Sequence, residues 1–137
     1  MSKNIATVYV RFVQISGGKR RPIFILQENE DKFFFFDITT KFKNKSEKIK
    51  KHYFEIKEYE TTGLKKHSWI DTYRRYSVSK KDTNVNYIGR LSDQDTHRLV
   101  KFLRKTAKKK FYVKTAIFKV IVFRAGCFLK LSNLLCK

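Results

Sequence analysis

At 137 residues the chain has the length of one domain, long enough to bury a core without disulfide or metal staples. Its 13 phenylalanines and 7 tyrosines exclude disorder by composition over most of that length. Thirty-two lysines and arginines against 12 acidic residues give a formal net charge of +20, a field that draws polyanions, so nucleic acid leads as partner and an anionic membrane surface comes second.

Thr7 to Val13 predicts a half-buried first strand, with Val8, Val10 and Phe12 on one face and Tyr9, Arg11 and Val13 on the other, Arg11 exposed. From Gly17 to Thr40 the pattern is a loop with two strands hung from it. Gly17 and Gly18 permit positive φ. Pro22 fixes φ at the entrance of a strand from Ile23 to Gln27 and lacks the N–H of a central ladder position. Arg21 is thereby held at a rigid strand entrance. After a turn at Glu28 to Asp31, Phe33 to Ile38 forms the next strand, with the hydroxyls of Thr39 and Thr40 at its far end. In a hairpin, the start of one strand lies beside the end of the other, so Arg21 meets Thr39 or Thr40 at a loop mouth suited to gripping phosphate. Both strands are almost continuously apolar, as in a small barrel covered outside by a helix or a second subunit. Phe33 to Phe36 are read as core on one face and partner surface on the other.

Lys41 to Lys51 is a lysine-rich loop, either a solvated charge run or a segment closing over bound RNA through non-specific phosphate contacts from Lys43, Lys45, Lys48 and Lys50. His52 to Lys57 alternates as a strand, and Glu58 to Gly63 reads as a helical turn stopped by its glycine. Ser68 to Val78 is a further strand carrying Trp69, read as core before base-stacking contact. A polar loop over Lys80 to Asn86 leads to a short strand, Tyr87 to Gly89. Ser92 to Lys105 is a helix: Ser92 caps it, Asp95 is its capping-box acid, and Leu99, Phe102 and Leu103 form the face that covers the barrel.

Residues 108–137 lack a clean period and form a basic-hydrophobic tail without an assigned role. Its apolar stretch Ala116 to Leu129 is broken by Lys119 and Arg124, short of the roughly 20 residues that span a bilayer, so no stable membrane insertion is expected. Cys127 and Cys136 read as reduced thiols, and the N-terminus has no secretory pattern, so the expected location is cytoplasmic. His52, His67 and His97 are scattered and no metal-ligand spacing, Walker motif or nucleophile elbow is present. What remains is metal-free, cofactor-free phosphate chemistry, in which RNA supplies its own 2′-hydroxyl nucleophile.

The order of GGKRRP, a strand ending in Gln27, DITT, GLKKHSWID (Gly63 to Asp71) and YIGRLSDQDTHRLVKFL (Tyr87 to Leu103) resembles the MazF/PemK family of toxin endoribonucleases over roughly the first hundred residues. His67 stands where that family usually has proline. The resemblance implies a mainly β fold with α, a small SH3-like β-barrel with a C-terminal helix over residues 1–107, and a homodimer with an RNA groove along its interface. It implies the toxin of a type II toxin–antitoxin system: a sequence-specific, metal-independent endoribonuclease for single-stranded RNA such as mRNA, inhibited by an acidic antitoxin. Arg21 would stabilise charge and move a proton, with Thr39 as the active-site hydroxyl and Thr40 as its alternative one register away. Lys19 and Arg20 would contact phosphates. Two other classes compete: a catalytically silent nucleic-acid-binding SH3-like module, and a membrane-surface protein acting through the basic tail.

Overall fold

A computed structural model describes residues 2–11 and 17–107. The side chains of Val10 and Arg11, the expected strand residues Phe12 and Val13, both cysteines and the tail lie outside the described residues. The chain divides into two compact units, Met1–Lys101 and Phe102–Lys137. The first is mainly β: six antiparallel strands form one open sheet in the order β4-β5-β3-β2-β1-β6. They are β1 (Asn4–Arg11), β2 (Gly18–Glu28), β3 (Lys32–Thr39), β4 (Tyr53–Glu55), β5 (Trp69–Ser79) and β6 (Val85–Arg90). No helix among the described residues is long and apolar enough to cross a membrane.

The central strands are buried on both faces, as their apolar runs require: Ile23, Phe24 and Ile25 are consecutive and inaccessible to solvent. Ala6, Val8, Ile23, Ile25 and Phe33 form one cluster, against which Phe35, Val78 and Val85 pack. Of the four phenylalanines, Phe33 and Phe36 are buried while Phe34 and Phe35 are half-buried, Phe35 stacking on Tyr76 with centroids 5.7 Å apart.

Strand boundaries differ from the sequence reading: β4 is shorter than the expected His52 to Lys57, and β6 takes in Val85 and Asn86 of the expected polar loop. β1 begins at Asn4, since Ile5 and Ala6 are fully buried. β2 begins at Gly18, so Arg20, Arg21 and Pro22 lie inside a strand and not at its entrance. β1 pairs with β2 back to Gly18, whereas the β3 ladder stops at Ile23, beside the one residue with no N–H to donate. Of the two glycines before it, only Gly17 takes a positive φ, 119°. The lysine-rich loop contains a single helical turn, α1 (Glu47–Lys50).

The 3₁₀ turn Tyr59–Thr62 ends, as its sequence predicts, at Gly63 with φ 79°. It packs on β6 so closely that a Cβ at Gly63 would lie 2.3 Å from the Ile88 carbonyl oxygen, and one at Gly89 2.1 Å from that of Thr62. A helix, α2, covers residues 93–107; the division between the units falls within it. Ser92 Oγ caps it by accepting the Asp95 N–H at 3.1 Å. Asp95 does not close a capping box. Its buried carboxylate accepts the Glu58 N–H at 2.9 Å and pairs with Arg98, fastening α2 to the 3₁₀ turn. Leu99 is fully buried. In the second unit, the Thr106 hydroxyl donates to the Phe102 carbonyl at 3.0 Å.

Candidate functional site

Antiparallel register places directly opposed residues on one face of the sheet, and residues two apart along a strand share that face. One such row runs across five strands: Ala6, Ile23, Asp37, Asp71 and Tyr53. The next row contains Val8 opposite Arg21, and Thr39 opposite Trp69 and then Glu55. The β2–β3 ladder ends at Ile23 opposite Asp37, two residues short of both Arg21 and Thr39, so these two flank its end without being a ladder pair. Arg21 is exposed and Thr39 half-buried, its Oγ1 accepting the Lys41 N–H at 3.1 Å. Thr40 follows the last residue of β3 and is exposed.

Two carboxylates therefore face each other across β3 and β5, an arrangement that destabilises a sheet by like-charge repulsion. Burial raises the Asp37 pKa above its ordinary 3.8; the Arg21 charge opposes that rise and Asp71 adds to it. The Tyr53 phenol is also pushed up, first by burial and then by Asp71 and Asp37. Arg21 thus acts on the carboxyl next in the lattice, while its guanidinium remains open to solvent.

An aromatic wall stands beside Thr39. Trp69 is half-buried, with Phe42 stacked on it at 4.8 Å and 6° and the His67 ring at 4.4 Å on its side. His67 Nε2 lies 3.0 Å from Glu55 Oε1 and its ring 5.6 Å from that of Tyr59. His67 therefore ties the segment before β5 to β4. Lys50 Nζ sits over Phe42 at 5.2 Å and 3.4 Å from Glu47 Oε1.

The remaining basic residues divide by position. Lys19 shares the face of Arg21 by strand alternation and is exposed. Arg20 alternates to the opposite face, where its Nη1 reaches Thr7 Oγ1 at 3.4 Å. Lys43 is exposed, and Lys45 is half-buried with its N–H bonded to the Phe42 carbonyl at 3.1 Å. Lys48 lines a groove together with Lys51, Tyr53, Asp71, Tyr73 and Arg74.

Asp37, Asp71, Tyr53, Lys51, Tyr73 and Arg74 went unread in the sequence. A signal was present for one of them: Asp37 places a carboxylate within the apolar run Phe33 to Ile38, where a charge calls for a reason. The chain matches no protein-family model and no curated protein.

Proposed function

We propose that the chain is a metal-independent endoribonuclease of the MazF/PemK kind that cuts single-stranded RNA, folded as an SH3-like barrel that dimerises. In this reading it is the cytoplasmic toxin of a toxin–antitoxin pair. The observation that carries the proposal is an exposed arginine acting on a half-buried carboxyl of β3, a strand that ends in a threonine beside a stacked aromatic wall.

Each group has a part. Arg21 stabilises the charge that accumulates on the phosphoryl oxygens as the 2′-oxygen attacks phosphorus. Thr39 donates its hydroxyl hydrogen to one of those oxygens while its lone pair keeps the Lys41 N–H. The 2′-oxygen–phosphorus bond forms, the phosphorus–5′-oxygen bond breaks, and the proton lost by the 2′-hydroxyl is matched by one gained at the leaving 5′-oxygen. Asp37, set among Arg21, Asp71 and Tyr53, holds the guanidinium's local field in place. The +20 net charge concentrates RNA around the molecule and matches an acidic inhibitor.

The test is incubation of the purified protein with a long RNA in EDTA, followed by mapping of the ends. Cleavage that survives EDTA, leaves 2′,3′-cyclic phosphate and 5′-hydroxyl ends, and spares a strand with deoxyribose at the cut site is the expected outcome. A requirement for Mg²⁺ or 5′-phosphate ends would overturn the mechanism. Tight RNA binding with no cleavage would make the chain a silent RNA-binding module.

A further inference from the structure

Between Asp37 and Phe35, β3 advances two residues while β5 advances five, from Asp71 to Tyr76, so β5 carries a three-residue bulge. The bulge is pinned at its base. Thr72 donates both its N–H (3.0 Å) and its hydroxyl (2.6 Å) to the His52 carbonyl, and the Tyr73 N–H donates to Asp71 Oδ1 at 3.0 Å. It turns Tyr73 outward, 54% exposed, with the Arg74 guanidinium 5.7 Å from its ring. The result is an open groove of about 610 Å³ between the bulge and α1. Cations from both sides, Lys48, Lys51 and Arg74, border the rings of Tyr53, Tyr73 and Tyr76, and Asp71 is the acid that lines it.

Bulges often re-aim side chains beside functional sites, and exposed rings among cations suit a single strand of nucleic acid, where bases stack and phosphates are neutralised. The groove reaches the proposed cleavage face through Asp71 and Tyr53, which belong to both. We propose that it is a nucleotide subsite for single-stranded RNA, in which a base bearing an exocyclic amine stacks on Tyr73 and donates to Asp71. Lys48, Lys51 and Arg74 hold the flanking phosphates. The inference deepens the ribonuclease reading and rests on it only in taking RNA as the ligand.

Asp71 makes the choice of base. Its Oδ1 already accepts the Tyr73 N–H, which leaves Oδ2 as an acceptor with nothing to donate while ionised. Cytosine and uracil have the same ring size and stack alike, but cytosine presents an amine at position 4 where uracil presents a carbonyl. The carboxylate accepts from the first and repels the second.

The experiment uses the full chain and uncleavable 2′-O-methyl oligocytidylate and oligouridylate, read by fluorescence anisotropy. The wild type should hold oligocytidylate about tenfold more tightly or better, the size of one good base-edge contact. Asp71→Asn should bring the two affinities to within about twofold, a ratio taken within one preparation and so insensitive to partial unfolding. Tyr73→Ala should weaken both ligands by about tenfold, and Tyr73→Phe should restore binding, because stacking needs the ring and not the hydroxyl. Equal affinities in the wild type, or a preference that survives Asp71→Asn, would overturn the subsite. So would polyglutamate binding more tightly than either oligomer in a manner lost with Tyr73→Ala, which would give the groove to an acidic protein. Cleavage of a long RNA is measured on the same preparations. A cytosine preference without cleavage removes the nuclease reading and keeps the subsite; cleavage without a preference does the reverse.

Discussion

Two regions of the first unit solve opposite problems. Where the 3₁₀ turn meets β6 and the start of α2, backbones approach so closely that neither Gly63 nor Gly89 has room for a methyl group, and the buried carboxylate of Asp95 has both a backbone donor and Arg98. On the face formed by β2, β3, β5 and β4, two carboxylates oppose each other, Tyr73 and Tyr76 stand in solvent, and His52 Nδ1 is buried without a hydrogen-bond partner among the described residues. The first region is built for stability. The second keeps uncompensated groups where a ligand would meet them, as binding and catalytic surfaces do.

The contrast breaks most sharply if the tight region tolerates bulk. Gly89→Ala would drive a methyl group into the Thr62 carbonyl oxygen, a backbone atom without a rotamer to escape through. A loss on the order of 3 kcal/mol or more is expected in urea unfolding, the scale of overpacking into a rigid contact. A variant with an unchanged midpoint would mean that the turn and β6 separate freely. On the open face, Arg21→Ala should do the reverse: unfolding should be nearly unchanged, since the side chain is exposed, while RNA cleavage falls by roughly a hundredfold or more. A proportionate loss of stability would place Arg21 among the structural residues.

The same division governs how much could be read before the structure was known. Ser92 and Gly63 announce themselves because a helix cap and a left-handed terminus are local, decided by a few neighbouring residues. Phe33 to Phe36 likewise mark a strand by themselves, whereas the alternation from His52 to Lys57 yields only the three residues of β4. Hairpin geometry pairs β2 with β3 as expected, but the ladder ends at Ile23 and Asp37, and Pro22 lies deeper in its strand than proline chemistry suggests. What could not be read were facts of long-range register. Nothing near Asp37 says that Asp71 will stand opposite it, nothing near Gly89 says that Thr62 will press on it, and the bulge that turns Tyr73 outward exists only by comparison with β3. Asp95 shows the same limit. Its spacing from Ser92 predicts a capping box, but the N–H of Glu58 took the buried carboxylate instead.

Asp95→Asn sharpens the comparison at its stable end. The amide keeps the shape and one acceptor oxygen, but loses the charge that pairs with Arg98 and the strength of a charge-assisted bond to the Glu58 N–H. About 1–3 kcal/mol of stability should disappear, with Asp95→Ala costing more because the Glu58 donor is then left without a partner. If Asp95→Asn costs nothing, the carboxylate charge is irrelevant, and shape and the neutral hydrogen bond alone fasten α2 to the turn.

The smallest effect has the opposite sign. The folded-state pKa of Asp37 is raised, so the native state holds this proton more tightly than the unfolded chain does. Its contribution to stability is complete below the ordinary carboxylate value of 3.8 and is lost as pH rises through the folded value. At neutral pH the ionised group is therefore a net cost, because burial and Asp71 together outweigh the attraction of Arg21. Asp37→Asn should stabilise the protein at pH 7 by a fraction of a kcal/mol, the size of a like-charged cross-strand pair, and remove this step from the stability–pH curve. Asp71→Asn relieves the same repulsion, so the double variant should gain less than the sum of the two single ones. Additive gains, or a pH profile that Asp37→Asn leaves untouched, would show that the two carboxylates do not sense each other across the sheet. Arg21 would then have to be described without Asp37 as its neighbour.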